Sequence, residues 1–141
     1  IQGPIPLLNL ELEMGIQDLC LDAIKKGIIK SAHDLSDGGL AVNLSESLIQ
    51  SKAGLGAKLD VVRKLHNSEL LFGECQSVII VTLEESALYE LILLAQNLDM
   101  HTQTIGRVNE SNSLVINDQI DISRTKLENA YFNSLEKIMT Q

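Results

Sequence analysis

The sequence predicts an α/β or α+β domain in which a mixed sheet is covered by helices, and three observations carry that reading. Amphipathic helical stretches alternate with short β-branched runs in the order helix, strand, helix, strand, strand, helix, strands, helix. The run SVIIVTL, residues 77 to 83, is continuously apolar, as a strand buried on both faces would be. At 141 residues and 45% hydrophobic content, the chain is long enough for one packed core and carries no internal repeat.

The elements follow in chain order. From Glu11 to Lys26, Leu12, Ile16, Leu19, Cys20 and Ala23 share one face at helical spacing, and Gly27 stands as the stop that follows. Cys20 on that face is a core filler. A strand opens at Ile28, and a second helix runs from about Gly39 to Lys52, with Leu40, Ala41, Leu44 and Leu48 inward. Ala53-Gly54-Leu55-Gly56 breaks it; no GxGxxG or Walker pattern surrounds these glycines. Ala57 to Val61 makes a short strand, and the passage to Leu71 is short helix or irregular. His66 lies there in polar surroundings as a surface residue. After SVIIVTL, Thr82 and Glu85 have capping-box spacing for a third helix to Leu98, with Leu88, Leu91, Ile92, Ala95 and Leu98 inward.

Met100 to Val108 reads as a strand weakened by Gly106, with His101 and Arg107 on a solvated edge. A turn over Asn109 to Asn112 leads into a hairpin of Leu114–Ile116 and Ile120–Ile122 around Asn117-Asp118. Ser123 caps a final helix whose inward side is Leu127, Ala130, Tyr131, Leu135 and Ile138.

The most informative stretch is IIKSAHDLSDGGLAV, residues 28 to 42, a strand that passes two aspartates and a Gly-Gly pair into a helix. A helix start leaves about four backbone N–H groups unpaired and carries roughly half a positive charge, so it can hold a phosphate. Gly38 and Gly39 allow close approach of a ligand to the backbone. Asp34 and Asp37 repel a bare phosphate, so a magnesium ion or a ribose hydroxyl has to intervene. The alternative is purely structural: Asp37 or Ser36 caps the helix and Asp34 ends the strand.

Eleven basic against nineteen acidic residues give a formal charge of −8, which repels nucleic-acid backbones and anionic membrane surfaces. The aromatic share of 3%, without Trp, argues against base-stacking platforms. No apolar run approaches the roughly 20 residues that span a bilayer, and no signal-peptide pattern opens the chain. Cys20 and Cys75 match no metal spacing, and reduced thiols in a cytoplasmic protein are the simplest reading. The opening IQGPIPLLN, turn-rich and without periodicity, is expected to be a linker from an upstream domain (residues 1–10), with residues 11–141 as one domain.

Three motifs in order, SAHDLSDGGLAVNLSE, LFGECQSVIIV and TQTIGRV, together with the linker GPIPLLNLELE, resemble the carboxy-terminal domain of the phosphoribosylformylglycinamidine synthase family. This family belongs to the aminoimidazole ribonucleotide synthetase-like superfamily, and the likeness spans essentially the whole chain. It implies an α+β domain of three-layer α/β/α arrangement, a mixed sheet flanked by helices. It also implies an ATP- and magnesium-dependent ligase of purine biosynthesis that converts formylglycinamide ribonucleotide to the amidine with ammonia from glutamine. Implied partners are upstream ATP-binding domains of the same chain, a glutaminase subunit or domain, and a small accessory subunit. The catalytic histidine and most nucleotide ligands of the family lie in those upstream domains, so this stretch alone is expected to be inactive, with no catalytic residue of its own.

The family carries this domain twice, and HD-x-SDGGL matches the second copy best. In the first copy a Glu-Ser-Gln triplet holds substrate; the matching positions here are Glu74, Cys75 and Gln76, and Cys75 is a poorer hydrogen-bond donor than Ser. Asp34 takes the place of a magnesium-binding aspartate. The resemblance thus implies an auxiliary nucleotide or phosphate site made by Asp34, Ser36, Asp37, Gly38, Gly39, Glu74 and Gln76, with Asp34 as the metal ligand. Two competing identities stand beside it: the corresponding domain of a related synthetase or phosphate-transferring kinase, and a stand-alone ligand-binding module.

Overall fold

The structure is a computed structural model, and it describes residues 7–52, 54–62 and 65–139. In chain order the elements are α1 (Leu10–Lys25), β1 (Ile29–Asp34), α2 (Gly39–Gln50), β2 (Gly56–Leu59), α3 (Asn67–Phe72), β3 (Ile79–Leu83), a 3-10 turn (Glu85–Ala87), α4 (Leu88–Asn97), β4 (Gly106–Asn109), β5 (Ser113–Ile116), β6 (Ile120–Ser123) and α5 (Arg124–Met139). They form two compact units: residues 1–39 with 73–104, and residues 40–72 with 105–141. No helix among the described residues is long and apolar enough to cross a membrane.

In the first unit, α1 starts because the Asn9 side chain accepts from the backbone N–H groups of Glu11 and Leu12, both at 3.1 Å. It stops, as the sequence indicates, at Gly27, whose φ of +70° suits a residue without Cβ. The Gly27 N–H then reaches the Ile24 carbonyl at 2.9 Å and the Ile28 N–H reaches Ala23 at 3.0 Å, which satisfies two of the last carbonyls of the helix. One face of α1 supplies Leu19 and Ala23 to a core shared with Ile28, Leu91 and Ala95, against which Ile29, Val81 and Leu83 pack. Cys20, half-buried, has its thiol pKa pushed up by burial, which fits the apolar role read from its spacing.

β1 pairs antiparallel with β3, Asp34 opposite Ile79 and His33 opposite Ile80. Two readings are corrected here. β3 is half-buried along its whole length rather than buried on both faces, because it lies in a two-stranded ladder. Thr82 does not cap a helix: the strand continues to Leu83, the following turn has no side-chain cap, and the Thr82 hydroxyl instead meets that of Ser31 at 2.6 Å across the ladder.

The second unit holds the mixed sheet, in the order β4-β2-β5-β6. β2 runs parallel to β5 and antiparallel to β4, and β5 and β6 form the expected hairpin. Leu114 and Ile116 are fully buried and alternate with the half-buried Ser113 and Val115, the period-2 signature of a strand. The strand expected over 100–108 is only Gly106–Asn109. Gly106 permits it rather than weakening it, since a Cβ there would collide with the Lys58 carbonyl oxygen and lie 2.7 Å from the Leu59 Cα. His101 accordingly precedes the strand, whereas Arg107 is exposed on the edge strand β4. Asn117 and Asp118 take positive φ at the hairpin turn, and the Asn117 side chain bonds both the N–H (2.7 Å) and the carbonyl (2.9 Å) of Val61.

The inward face of α2 is buried as expected at Leu40, Ala41, Leu44 and Leu48. The inward face read for α5 is not: Leu127 is half-buried, and Tyr131, Leu135 and Ile138 are exposed. The helix is fixed at its first residue instead. Arg124 is buried, and its guanidinium donates to the Glu128 carboxylate, the Ser51 hydroxyl and the carbonyls of Ile49, Ser51 and Lys52 at 2.7 to 3.1 Å.

Candidate functional site

All seven residues singled out for the auxiliary site lie in the first unit. Asp34 ends β1, its side chain 77% exposed, where the ladder with β3 stops. The neighbouring His33 ring nitrogen Nδ1 lies 2.8 Å from the Asp34 carbonyl oxygen and 3.7 Å from its carboxylate. Ser36 and Asp37 follow, both exposed. The Ser36 carbonyl accepts from the Gly39 N–H at 3.1 Å, so this turn is closed by backbone rather than by the Ser36 side chain. Gly38 and Gly39 take φ of +81° and +67°, where any other side chain would be strained. The predicted sequence of strand, glycine turn and helix is therefore what the chain adopts.

The LFGECQ motif comes to the same place. Glu74 accepts from the Gly38 N–H at 3.4 Å, across 36 residues, so a carboxylate of the chain occupies the position where an incoming anion could otherwise bind this N–H. Gln76 shares with Asp34 a cleft of about 530 Å³ at the head of the ladder. The cleft brings in three polar residues that pattern reasoning did not single out: Glu13 and Gln17 from the first turns of α1, and Ser77. The Glu13 carboxylate accepts from the Ser77 hydroxyl and from the Gln17 amide, each at 2.7 Å. Those two bonds, the Ser77 one first, hold its pKa below the ordinary value. Ser77 itself sits at φ +58°, the left-handed region, just before β3 begins. The available signal was the i, i+4 pair Glu13/Gln17 next to a capping Asn9; nothing local linked it to Ser77.

Glu74, Cys75 and Gln76 are all exposed, so the triplet faces solvent. Among the described residues the Cys75 thiol donates to the Gln76 carbonyl, at 3.5 Å. Among the described residues no group of three or more His, Cys, Asp or Glu is placed to hold a metal ion. Asp34 could thus contribute a single carboxylate to a cation whose other ligands come from water or from the ligand's own oxygens, the usual arrangement for magnesium carried by a nucleotide.

The family model described as AIR synthase related protein, C-terminal domain, matches residues 4–119. The chain belongs to this family. The matched span takes in α1, the Asp34-to-Gly39 turn, the Glu74 motif and the chain through the β5–β6 turn. The phosphoribosylformylglycinamidine synthase subunit PurL of Bartonella bacilliformis is 36% identical over 137 residues, 97% of this chain and 18% of that protein. Among solved structures, PurL of Thermotoga maritima complexed with ATP matches 89% of the chain at 19% identity, with a TM-score of 0.76, over 23% of its own length. The PurLQS structure from the same organism gives a TM-score of 0.76 at 17% identity, over 87% of this chain and 22% of that one. These likenesses support the α+β class with a mixed sheet as the fold of the AIR synthase-related domain. The chain spans about a fifth of the length of the PurL relatives it matches.

Proposed function

We propose that this chain acts as the carboxy-terminal domain of a phosphoribosylformylglycinamidine synthase, the ATP- and glutamine-dependent ligase that turns formylglycinamide ribonucleotide into its amidine. The observation that carries the reading is the 36% identity to a PurL subunit over 97% of the chain. In this reading residues 1–10 lead from an upstream ATP-binding domain and residues 11–141 form one synthetase-type domain. The working enzyme is cytoplasmic and draws ammonia from a glutaminase partner, with a small accessory subunit.

Within that assembly, Asp34, Ser36, Asp37, Gly38, Gly39, Glu74 and Gln76 make an auxiliary nucleotide site. The geometry favours a metal-bridged phosphate over a bare one. Asp34 is exposed and would be the carboxylate of this chain that holds a magnesium ion brought by the nucleotide. Glu74 has to release the Gly38 N–H for a phosphate to approach the turn, and at 3.4 Å that bond is a weak one. Bound magnesium would supply positive charge against phosphoryl oxygens; the chain's own part is to orient that ion and the glycine turn.

Catalysis needs more than this. In this reading the catalytic histidine and most nucleotide ligands belong to the upstream ATP-binding domains, while the cleft here brings together carboxylates, amides and the Ser77 hydroxyl, which donates to Glu13. The 141-residue chain is therefore expected to release no ADP when given ATP, magnesium, formylglycinamide ribonucleotide and ammonia. Substrate-dependent ADP release at a rate above buffer would overturn the assignment of a non-catalytic role.

A further inference from the structure

We infer that α1 pairs antiparallel with the α1 of a second copy of this chain, through an apolar seam on the side of the helix away from its core. The core side is made by Leu19 and Ala23, with Ile16 and Cys20 half-buried beside them. Leu10, Met14, Leu21 and Ile24 lie on the other side, 65%, 65%, 51% and 52% exposed. Together with the exposed Gln17 they recur at intervals of 4, 3, 4 and 3 residues, the spacing that keeps one seam facing a second helix over two heptads. A surface helix needs one apolar stripe to hold it to its core, and α1 carries a second that is open to solvent. This goes beyond the nucleotide reading, since none of these residues belongs to the site assigned to it.

Charge selects the occupant and its direction. Glu11, Asp18 and Lys25, seven residues apart, flank the same side of the seam, so the helix is acidic where it starts and basic where it ends. Glu13 keeps its bonds to Ser77 and Gln17, and the 3.6 Å pair of Lys25 with Asp22 is exposed and contributes little. A second α1 laid antiparallel on the seam sets Glu11 of each copy beside Lys25 of the other, and the helix dipoles oppose. A parallel pair would set like ends together. The two-fold axis then passes near Gln17 and Asp18, and a polar residue at a seam position fixes register at a cost in stability. Such a contact is isologous and closes at two copies. The four seam side chains, with the exposed Leu7 and Leu8 just before them, offer on the order of 500 Å² in each copy. Two copies then bury about 1,000 Å², the low end of specific interfaces, which calls for micromolar rather than nanomolar association.

The test is sedimentation equilibrium of the full 141-residue chain from about 5 µM to about 500 µM, a range that brackets micromolar association. A reversible monomer–dimer equilibrium is expected, and Leu21→Glu, checked for an unchanged unfolding transition, should weaken it at least about tenfold. Charge variants then test direction independently of apolarity. Asp18→Asn removes the like charges that meet at the axis and should tighten the dimer. Lys25→Glu should weaken it, and Glu11→Lys combined with Lys25→Glu should restore it. A monomer throughout the range, growth beyond the dimer, or no response to either charge test would each overturn the inference. So would a dimer that survives Leu21→Glu but is lost in Leu135→Glu, on the exposed face of α5.

Discussion

Two polar constellations, one in each unit, obey opposite rules. At the Gly38-Gly39 turn, exposed carboxylates and amides stand around a long bond of 3.4 Å between Glu74 and the Gly38 N–H. At Arg124, one buried guanidinium makes five bonds of 2.7 to 3.1 Å, three of them to carbonyls at and just after the end of α2. A buried charge persists only when its donors are all satisfied, and such a group has nothing left for a ligand. Polar groups reserved for a ligand are found where water can serve in the meantime. The difference separates the stabilising Arg124 from the residues proposed to bind a ligand better than residue type does, since both constellations are built from charged groups.

Substitutions can break that contrast. The largest effect belongs to Arg124→Met, which leaves the carbonyls of Ile49, Ser51 and Lys52 without their donor; a loss of about 3–5 kcal/mol in urea unfolding is expected. Lysine should restore less than half of it, because an ammonium cannot reproduce the planar fork. Next comes Gly106→Ala, whose added methyl meets backbone of β2; about 1–3 kcal/mol should be lost in the same assay.

At the cleft the effects are smaller and are read best by titration. Because the Glu13 pKa is depressed in the folded state, its contribution is present above the unfolded-state value of about 4.3 and is lost as pH falls through the lower folded one. Ser77→Ala removes the largest cause, so the Glu13 carboxyl followed by ¹³C NMR should titrate higher than in the parent chain. An unmoved titration would mean that the 2.7 Å bond does not hold in solution.

Much of this architecture is legible in the sequence where the signal is local. Leu19 and Ala23 on α1, Leu91 and Ala95 on α4, the stop at Gly27 and the strand-glycine-helix junction all follow from spacing and from the φ preference of glycine. What escaped depends on distant partners. Arg124 carries no local signal of its burial, because four of its five bonds go to residues 72 to 75 positions away and only Glu128 is near in sequence. The Thr82/Glu85 spacing signalled a cap, but cross-strand pairing with β1 kept Thr82 in the sheet. The apolar stripe of Tyr131, Leu135 and Ile138 was rightly helical in period, yet period alone does not say what covers a face. The resemblance names Asp34, Gly38 and Glu74 together, and the structure brings Glu74 to the Gly38 N–H, whereas Glu13 and Ser77 meet only through folding across 64 residues.

The most direct test of the binding role given to the exposed constellation is calorimetric titration of the chain with ADP, with and without magnesium, beside the Asp34→Ala, Asp37→Ala variant. Both aspartates are exposed and away from the core, so the variant should keep its stability within about 0.5 kcal/mol. Binding that requires magnesium and vanishes in the variant is the expected result. Absence of binding, binding without the metal, or binding undiminished in the variant would contradict the assignment of a metal-bridged nucleotide site to the Gly38-Gly39 turn.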